Sequence, residues 1–490
     1  MTHAGRIVLV LFCASVFLSS NSAFGQSKST GKSAPSLKSV QHPRYLNLRY
    51  DEDFSYLDGE QGSYQPDFFD PIKYIHLDDD WTLSLGGEFR FRMEAETNKA
   101  FGVRRRSHDT FTIFRYMLHA DFKYRDTFRV FVQGISSFDE DRQLPQRGID
   151  ENKWDLQQLF FDYKLLGPDS PLTIRVGRQD LQYGNQRFVS PLDWASVRRR
   201  FQGVKLFSHG KKWDVDAWWV KPVLVQRKQR DRGAEDFDFW GLYATYKAMK
   251  RHGLDLYFFA IDDTSNQFSK GELVVNPNGK AGDRDIYTLG ARFWGKPTPL
   301  DYELVLAGQW GHWAGDTVQA WAFSIDTGYA FAGLAGKPRI GAGFDWASGD
   351  DDPFDGKVQT FNQLFPLGHK YLGFLDLVGR QNINAANVNL AANVAKNVKA
   401  RMAYHFFWLN QEKDALYNAG GRATRRDITG NSGRGVGHEL DVTLKWKIDD
   451  HSHMLAGYSH LWDSSFLITT GAIATSDDPD LLYLQYGIKF

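Results

Sequence analysis

The feature that most constrains the fold of this chain is an alternation of apolar and polar residues sustained over unusually long segments. In Trp81–Glu96, one face carries Trp81, Leu83, Leu85, Phe89, Phe91, Met93 and Ala95. A period of two predicts a β-strand, because successive side chains point to opposite faces. Strands of globular proteins usually span about five or six residues, whereas a tilted strand needs about nine to eleven to cross a bilayer. The segment therefore predicts a membrane-spanning strand.

The same alternation recurs along the chain. It is clear in Thr112–Arg125, Lys396–Leu409 and His438–Ile448. Further strands are predicted at 127–135, 156–166, 212–220, 237–247, 254–262, 285–294, 301–310, 318–331 and 338–346. At about 23 residues per strand and turn, residues 71–490 predict about eighteen strands, and sixteen stays open. We therefore predict an all-β protein, a membrane-spanning antiparallel β-barrel enclosing an aqueous lumen.

Composition supports a barrel over a soluble β-sandwich. The chain has 37 Phe, 21 Tyr and 15 Trp, yet its mean hydropathy is −0.45. Strands with one lipid-facing and one water-facing side produce this combination. Trp81, Tyr124 and Trp408 end apolar faces, which is the position of interfacial aromatic residues. We predict location in the cell outer membrane, in contact with its lipid.

The chain's two ends agree with this location. Residues 1–25 carry a basic residue, an apolar run at Ile7–Leu18 and the small-x-small site Ala23-Phe24-Gly25, typical of a secretory signal peptide. The one cysteine of the chain, Cys13, lies within that segment. Residues 26–70 predict a disordered stretch followed by a periplasmic lead-in or lumen segment. Residues 71–490 form the predicted barrel domain.

The last ten residues, LLYLQYGIKF, alternate up to Phe490. A barrel closes only if its last strand pairs with its first, since a free edge would expose unpaired backbone groups to lipid. This stretch resembles the closing strand of bacterial outer-membrane proteins, which the barrel assembly machinery recognises. We therefore expect that machinery to be a partner.

Three stretches resemble the alginate export family of outer-membrane channels. Val176–Leu206 contains Gly177-Arg178-Gln179, Tyr183-Gly184 and Pro191-Leu192-Asp193-Trp194. Asp345–Gly373 is similar to the family's acidic loop followed by a Leu-Phe-Pro turn, and Gly437–Trp462 to its penultimate hairpin. With the barrel pattern, the resemblance covers most of residues 80–490.

The resemblance implies a monomeric, eighteen-stranded channel whose lumen carries basic side chains for an anionic polysaccharide. Arg115 is the best match to a lumen arginine, and Lys370 and Arg380 match more loosely. Gln157-Gln158 stands where an Arg-Glu pair is expected, and Asp180 replaces a basic residue. These departures weaken the case for alginate itself, though not for a channel.

Alternation and resemblance together give nine candidate solute-binding residues in the lumen. They are Arg90, Arg92, Arg115, Arg175, Arg178, Arg187, Arg199, Lys370 and Arg380. Guanidinium groups suit the carboxylates of an anionic sugar polymer or a small anion. On this interpretation, Arg115→Glu shifts permeation toward cations while the barrel stays folded. The alternative is that carboxylates such as Glu88 and Asp162 pair with these cations and give a neutral wall.

Other functions have little support in the sequence. The 59 basic and 59 acidic residues are balanced and spread along the chain, so no nucleic-acid partner is expected. No G-x-S-x-G elbow, zinc helix or phosphate-binding loop occurs, so we predict neither enzyme activity nor a cofactor. A weak calcium candidate is the loop with Asp350, Asp351, Asp352 and Asp355, for which a solvated extracellular loop is the alternative.

The predicted function is a channel for export or diffusion of an anionic polysaccharide, alginate-like, or of a small anionic solute. Two alternatives remain open from sequence. One is a general porin with little selectivity, and the other is a structural or adhesin barrel with a blocked lumen. Conductance in a planar bilayer separates them.

Overall fold

The computed structural model describes residues 45–59, 64–98, 108–227, 229–265, 275–470 and 478–490. The chain divides into two compact units, residues 1–41 with 60–65, and residues 42–59 with 66–490. The predicted signal peptide at 1–25 and the Ser/Lys-rich stretch after it lie outside the described residues, so both stay predictions. The second unit contains the strands.

The described residues form 23 strands and a few short helical turns. The strands are β1 (Ile75–His76), β2 (Trp81–Thr97), β3 (Asp109–Tyr124), β4 (Phe128–Glu140), β5 (Asn152–Lys164), β6 (Leu172–Gln179), β7 (Phe201–His209), β8 (Trp213–Leu224), β9 (Arg232–Gly233), β10 (Phe237–Tyr246), β11 (His252–Asp263), β12 (Arg284–Gly295), β13 (Leu300–Trp313), β14 (Asp316–Ala330), β15 (Arg339–Ala347), β16 (Lys357–Val358), β17 (Ile383–Ala395), β18 (Val398–Leu409), β19 (Ala415–Tyr417), β20 (Ala423–Arg426), β21 (Gly435–Lys447), β22 (Ser452–Asp463) and β23 (Asp480–Lys489). The 3₁₀ turns are Arg49–Asp51, Ser55–Asp58, Asp70–Ile72 and Gly368–Lys370, and one short α-helix is Ser465–Thr470.

Eighteen of these strands form one closed antiparallel barrel, while β1, β9, β16, β19 and β20 are short strands beside it. Each barrel strand pairs with its neighbours in sequence. The barrel closes between β2 and β23, in a register from Glu88↔Lys489 to Thr97↔Asp480. The closed barrel confirms the predicted fold class and decides for eighteen strands over sixteen. The monomeric state stays a prediction.

Alternation along β2 and β3 determines which side chains enter the barrel. In β2, Glu88, Arg90, Arg92, Glu94 and Glu96 are buried inside, and the residues between them face outward. At the opposite end of the strand, the Trp81 and Tyr124 rings pack on the outer surface with centroids 5.1 Å apart. Arg115 of β3 is also inside, as the alternation predicts.

Two strands of the barrel were not among the sequence predictions, β7 and β17. The sequence of β17, INAANVNLAANVA, alternates asparagine with alanine and a few larger residues. Asparagine is depleted in strands, and alanine gives little apolar contrast between the two faces. The structure makes this segment a strand because β15 and β18 supply backbone partners on both sides.

The two ends of the barrel differ in the length of their connections. At the short-turn end, hairpins such as 125–127, 210–212 and 396–397 join the strands. At the long-loop end, the connections include residues 180–200, 348–382 and 410–434. In outer-membrane barrels the short turns are periplasmic and the long loops extracellular. Among the described residues, no helix is long and apolar enough to cross a membrane.

Residues 45–59 lie against the barrel seam and within the lumen. Arg49 donates one hydrogen bond to the carbonyl of Gly87 on β2 (2.8 Å) and one to the carbonyl of Phe490 (2.7 Å). The Tyr50 ring packs edge-on against Phe131 and Phe160, with centroids 5.9 and 5.2 Å away. The segment thus ties the closing strands together from inside.

Candidate solute pathway

Two long loops fold inward and fill part of the lumen. We call residues 180–200 the first inward loop and residues 348–382 the second inward loop. Phe188 of the first and Phe361 of the second pack with the lumen-facing Phe201, Phe239 and Phe259 in one buried cluster. The predicted aqueous lumen is therefore partly filled, because the loops supply apolar surface that shields this part of the wall from water.

A signal for this packing was present in the sequence. In β10, FDFWGLYATY, the lumen-facing Phe239 and Tyr243 are as apolar as the outward-facing Trp240 and Leu242. A strand that is apolar on both faces is buried on both faces. The loss of alternation in β10 thus marks the wall that the inward loops cover.

The first inward loop is held by three of the predicted arginines. Arg90 donates to the carbonyls of Asp193 (2.7 Å) and Ala195 (2.8 Å), and Arg92 donates to that of Trp194 (2.7 Å). Arg115 pairs with both Glu88 and the Asp193 carboxylate, the latter at 2.9 Å. All three arginines are buried. Their guanidinium groups bind backbone carbonyls of the loop and the Asp193 carboxylate, so these contacts occupy them in the lumen.

An aromatic stack joins the two inward loops. The Trp194 ring of the first lies parallel to the His369 ring of the second, with centroids 3.7 Å apart. His369 stacks in turn on Phe374 at 4.3 Å, and the Arg92 guanidinium lies 4.1 Å from the Trp194 centroid. Both faces of Trp194 are therefore covered. This column couples the position of one loop to that of the other.

A second arginine cluster connects the first inward loop to the wall. Arg187 pairs with Glu303 on β13 (3.0 Å), Asp345 on β15 (2.6 Å) and Asp326 on β14. Arg380 of the second inward loop shares Asp345, at 2.9 Å. These are charge-assisted bonds in a buried setting, and each carboxylate there has an arginine partner.

The remaining candidates also have partners. Arg175 makes a two-pronged bond to Asp162 (2.7 and 2.8 Å). Arg178 donates to the carbonyls of Leu156 (3.0 Å) and Asp231 (2.9 Å), and Arg199 donates to those of Ser190 (3.1 Å) and Phe365 (2.6 Å). Lys370 donates to the Asn185 side chain.

Eight of the nine predicted residues thus lie inside the barrel, whereas Arg178, contrary to the prediction, shares the outward-facing side of β6 with Val176. All nine are engaged by the protein itself. For them the geometry favours the alternative of a neutral, internally paired wall, and their solute-binding role stays a prediction. The expectation for Arg115→Glu changes accordingly. A glutamate there would face Glu88 and Asp193 in a buried space, so we now expect the first inward loop to detach.

Cations without protein partners lie elsewhere on the wall. Lys399 and Arg401 of β18 and Lys445 of β21 make no ion pair or side-chain hydrogen bond to any described residue, and the parity of both strands directs them into the lumen. Lys399 and Lys445 are opposite each other in register. Lys445 interacts electrostatically with Lys489, which repels it, and with Asp193, which attracts it. Sequence reasoning missed this group, although His438–Ile448 and Lys396–Leu409 were predicted strands.

The carboxylates of the loop with Asp350, Asp351, Asp352 and Asp355 are not arranged as a metal site in the described structure. Asp350 accepts hydrogen bonds from the backbone N–H groups of Asp352 and Gln359, both at 3.1 Å, and Asp355 accepts from Lys357 at 2.8 Å. Within the described ranges, no group of three acidic, histidine or cysteine side chains is arranged to hold a metal ion. The carboxylates instead shape the turn of the second inward loop.

This loop is expected to dock more firmly at acidic pH. Burial, together with the nearby Asp414 charge, raises the pKa of the Asp350 carboxyl from 3.8 to about 6, against the opposing effect of the hydrogen bond from the Gln359 N–H. Burial also raises the pKa of Asp414. The folded loop binds these protons more tightly than the unfolded loop, so docking is most stable below pH 3.8 and weakens as pH rises through about 6.

Hydrogen-exchange protection of residues 350–360, corrected for the intrinsic rate, should therefore be higher at acidic than at neutral pH. Asp350→Asn should flatten most of that dependence and protect the loop at neutral pH. A wild-type loop whose protection increases with pH would contradict the assignment.

A closed eighteen-strand barrel with long extracellular-type loops and a lumen lined by polar side chains defines an outer-membrane channel. The family model for alginate export matches residues 81–477. The chain therefore belongs to the alginate export family, as the resemblance predicted. The family and the fold are those of outer-membrane channels and not of enzymes.

Solved structures show the same fold at low sequence identity. Pseudomonas aeruginosa OpdO has a TM-score of 0.54 at 12% identity, covering 83% of this chain and 97% of that one. P. aeruginosa OccD3 (OpdP) has a TM-score of 0.52 at 11% identity, covering 83% and 91%. Acinetobacter baumannii OccAB3 has a TM-score of 0.52 at 13% identity, covering 83% and 99%. No curated protein sequence matches this chain.

Proposed function

We propose that this barrel conducts anions, either a carboxylated sugar polymer or small anionic solutes that share its carboxylate chemistry. The observation that carries the proposal is a set of lumen-facing cations that have no ion-pair partner among the described residues, Lys399, Arg401 and Lys445. Cations that are already paired add little to selectivity, whereas unpaired ones attract counter-ions into the pore. Membership of the alginate export family supports the same class of solute.

The wall around these cations suits a hydrated, hydroxyl-rich solute. The neighbouring β17 presents Asn387 and Asn389 to the lumen, joined by a 3.0 Å hydrogen bond between their amides. Opposite them on β15 lie Gly341 and Gly343, and the amides of Asn389 and Asn387 occupy the room that a side chain there would need. We infer that solute passes along the short-turn halves of β15, β17, β18 and β21, since the long-loop halves of these strands carry Ile383, Phe407 and Val436 of the buried cluster.

Ion selectivity provides the test. In a planar bilayer with a KCl gradient, we expect the wild-type reversal potential to show preference for chloride. The triple variant Lys399→Gln, Arg401→Gln, Lys445→Gln should lower the chloride-to-potassium permeability ratio several-fold, with the larger effect at low salt. Arg434→Gln, which removes an exposed cation from the loop 410–434 at the long-loop end, serves as the control.

Two outcomes would contradict this function. A wild-type channel without ion preference would support a general porin, and an absence of conductance would support a barrel blocked by its inward loops. We also propose that the barrel assembly machinery recognises the closing strand β23 and Phe490, which the truncation described in the Discussion addresses.

A further inference from the structure

The turns at the short-turn end of the barrel carry an uneven charge. We call the five turns 210–212, 247–251, 296–299, 331–338 and 396–397 the basic arc. They contain no Asp or Glu. Their exposed cations are Lys211, Lys212, Lys247, Lys250, Arg251, Lys296, Lys337 and Lys396. Among the described residues, only Lys247 of this set has an ion-pair partner, Asp214 at 2.6 Å.

The five turns are neighbours around the rim. They join β7 to β8, β10 to β11, β12 to β13, β14 to β15, and β17 to β18, which are ten consecutive strands of the barrel. Adjacent strands lie about 4.8 Å apart, so successive turns are separated by about 10 Å. Because the Debye length is about 8 Å at physiological salt, the fields of adjacent turns overlap in part.

The rest of the rim does not share this charge. The turns 125–127, 165–171 and 448–451 each contain acidic residues, namely Asp126, Asp169, Asp449 and Asp450. Asp450 pairs with Lys447 beside it. The positive charge is therefore confined to one side of the periplasmic mouth.

The basic arc leads into the lumen. Its last turn joins β17 to β18, where Lys396 precedes the lumen-facing Lys399. Lys399 lies opposite Lys445 in the strand pair, while the neighbouring Lys489 is paired with Glu88 at 3.7 Å. Lys396, Lys399 and Lys445, which have no ion-pair partner among the described residues, thus continue from the rim to the proposed pathway.

We propose that the basic arc is a periplasmic docking surface for a flexible anionic polymer, which it captures before a chain end enters the lumen. This inference rests on the proposed function and adds a capture site at the periplasmic mouth. A polymer can contact several turns at once, so weak single contacts add up through multivalency. Anionic lipid is the less suitable occupant, because headgroups surround a barrel evenly whereas the arc is one-sided and continues inward.

Side-specific block of the channel tests the proposal. Full-length protein is inserted with one orientation in a bilayer of zwitterionic lipid, and oligomannuronate is added to one compartment at a time. For the variant Lys211→Gln, Lys212→Gln, Lys250→Gln, Lys296→Gln, the association rate of blocking events from the short-turn side should fall about tenfold. Association from the long-loop side should stay unchanged, since the removed charges lie at the other end.

The matched control removes four cations from the long loops, Arg227→Gln, Arg230→Gln, Arg232→Gln and Lys413→Gln. It should leave block from the short-turn side intact. Equal association rates of the arc variant and the wild type would overturn the inference. So would a variant that blocks normally but binds phosphatidylglycerol vesicles less well, since the arc would then be a lipid-binding collar.

The two proposals fail in different ways. A wild-type reversal potential without anion preference, together with side-specific capture, would reject the proposed pathway cations and leave the arc supported. Normal anion preference with no effect of the arc variant would reject the arc alone.

Discussion

Deletion of Leu484–Phe490 is expected to abolish the folded barrel in the outer membrane. Six of the ten register pairs between β2 and β23 involve residues in this segment. Gly87 and Phe490 also exchange two backbone hydrogen bonds, of 2.8 and 3.0 Å, and Arg49 binds the Phe490 carbonyl. Without them, the edge of β2 would expose unpaired backbone groups to lipid, at a cost of several kcal/mol for each group.

The measurement is heat-modifiable migration of the barrel in gels of outer-membrane fractions. Deleting Ile428–Gly433, a comparable number of residues in the exposed loop 410–434, is the control and should leave the folded band in place. A truncated chain that inserts and migrates as the wild type would show that β23 does not close the barrel.

Arg187→Met is expected to release the first inward loop while the barrel itself remains closed. The substitution keeps most of the side-chain length but leaves Glu303, Asp326 and Asp345 facing each other with only Arg380 and Arg292 to offset them. Breaking a buried ion pair in this way costs about 3–5 kcal/mol. The aromatic contact of Trp194 with His369 then weakens too, because both loops move.

Two readouts follow this release. Single-channel conductance should rise and become noisier, and trypsin should cleave at Arg198–Arg200, which are protected in the wild type. Arg339→Met removes an ion pair of the same type, with Asp301, that is about one-third exposed. That variant should cost at most about 1 kcal/mol and leave conductance unchanged. Wild-type conductance and protease resistance in Arg187→Met would show that the cluster does not hold the loop.

The sequence by itself determined the barrel. Alternation in Trp81–Glu96 and Thr112–Arg125 required long strands with one lipid-facing side, and the length of the chain gave about eighteen of them. The same parity placed Arg90 and Arg115 inside correctly. These conclusions hold because the period of a strand is a local property, which neighbouring residues are sufficient to reveal.

Only the tertiary structure decided what the lumen cations do. Arg115 and Lys445 have the same parity and the same charge sign, yet one is enclosed by Glu88 and Asp193 and the other faces open lumen. The difference comes from the first inward loop, whose residues are distant in sequence from both strands. A pattern of period two shows on which face of a strand a side chain lies. The partners of that side chain depend on loop packing, which brings together residues far apart in sequence.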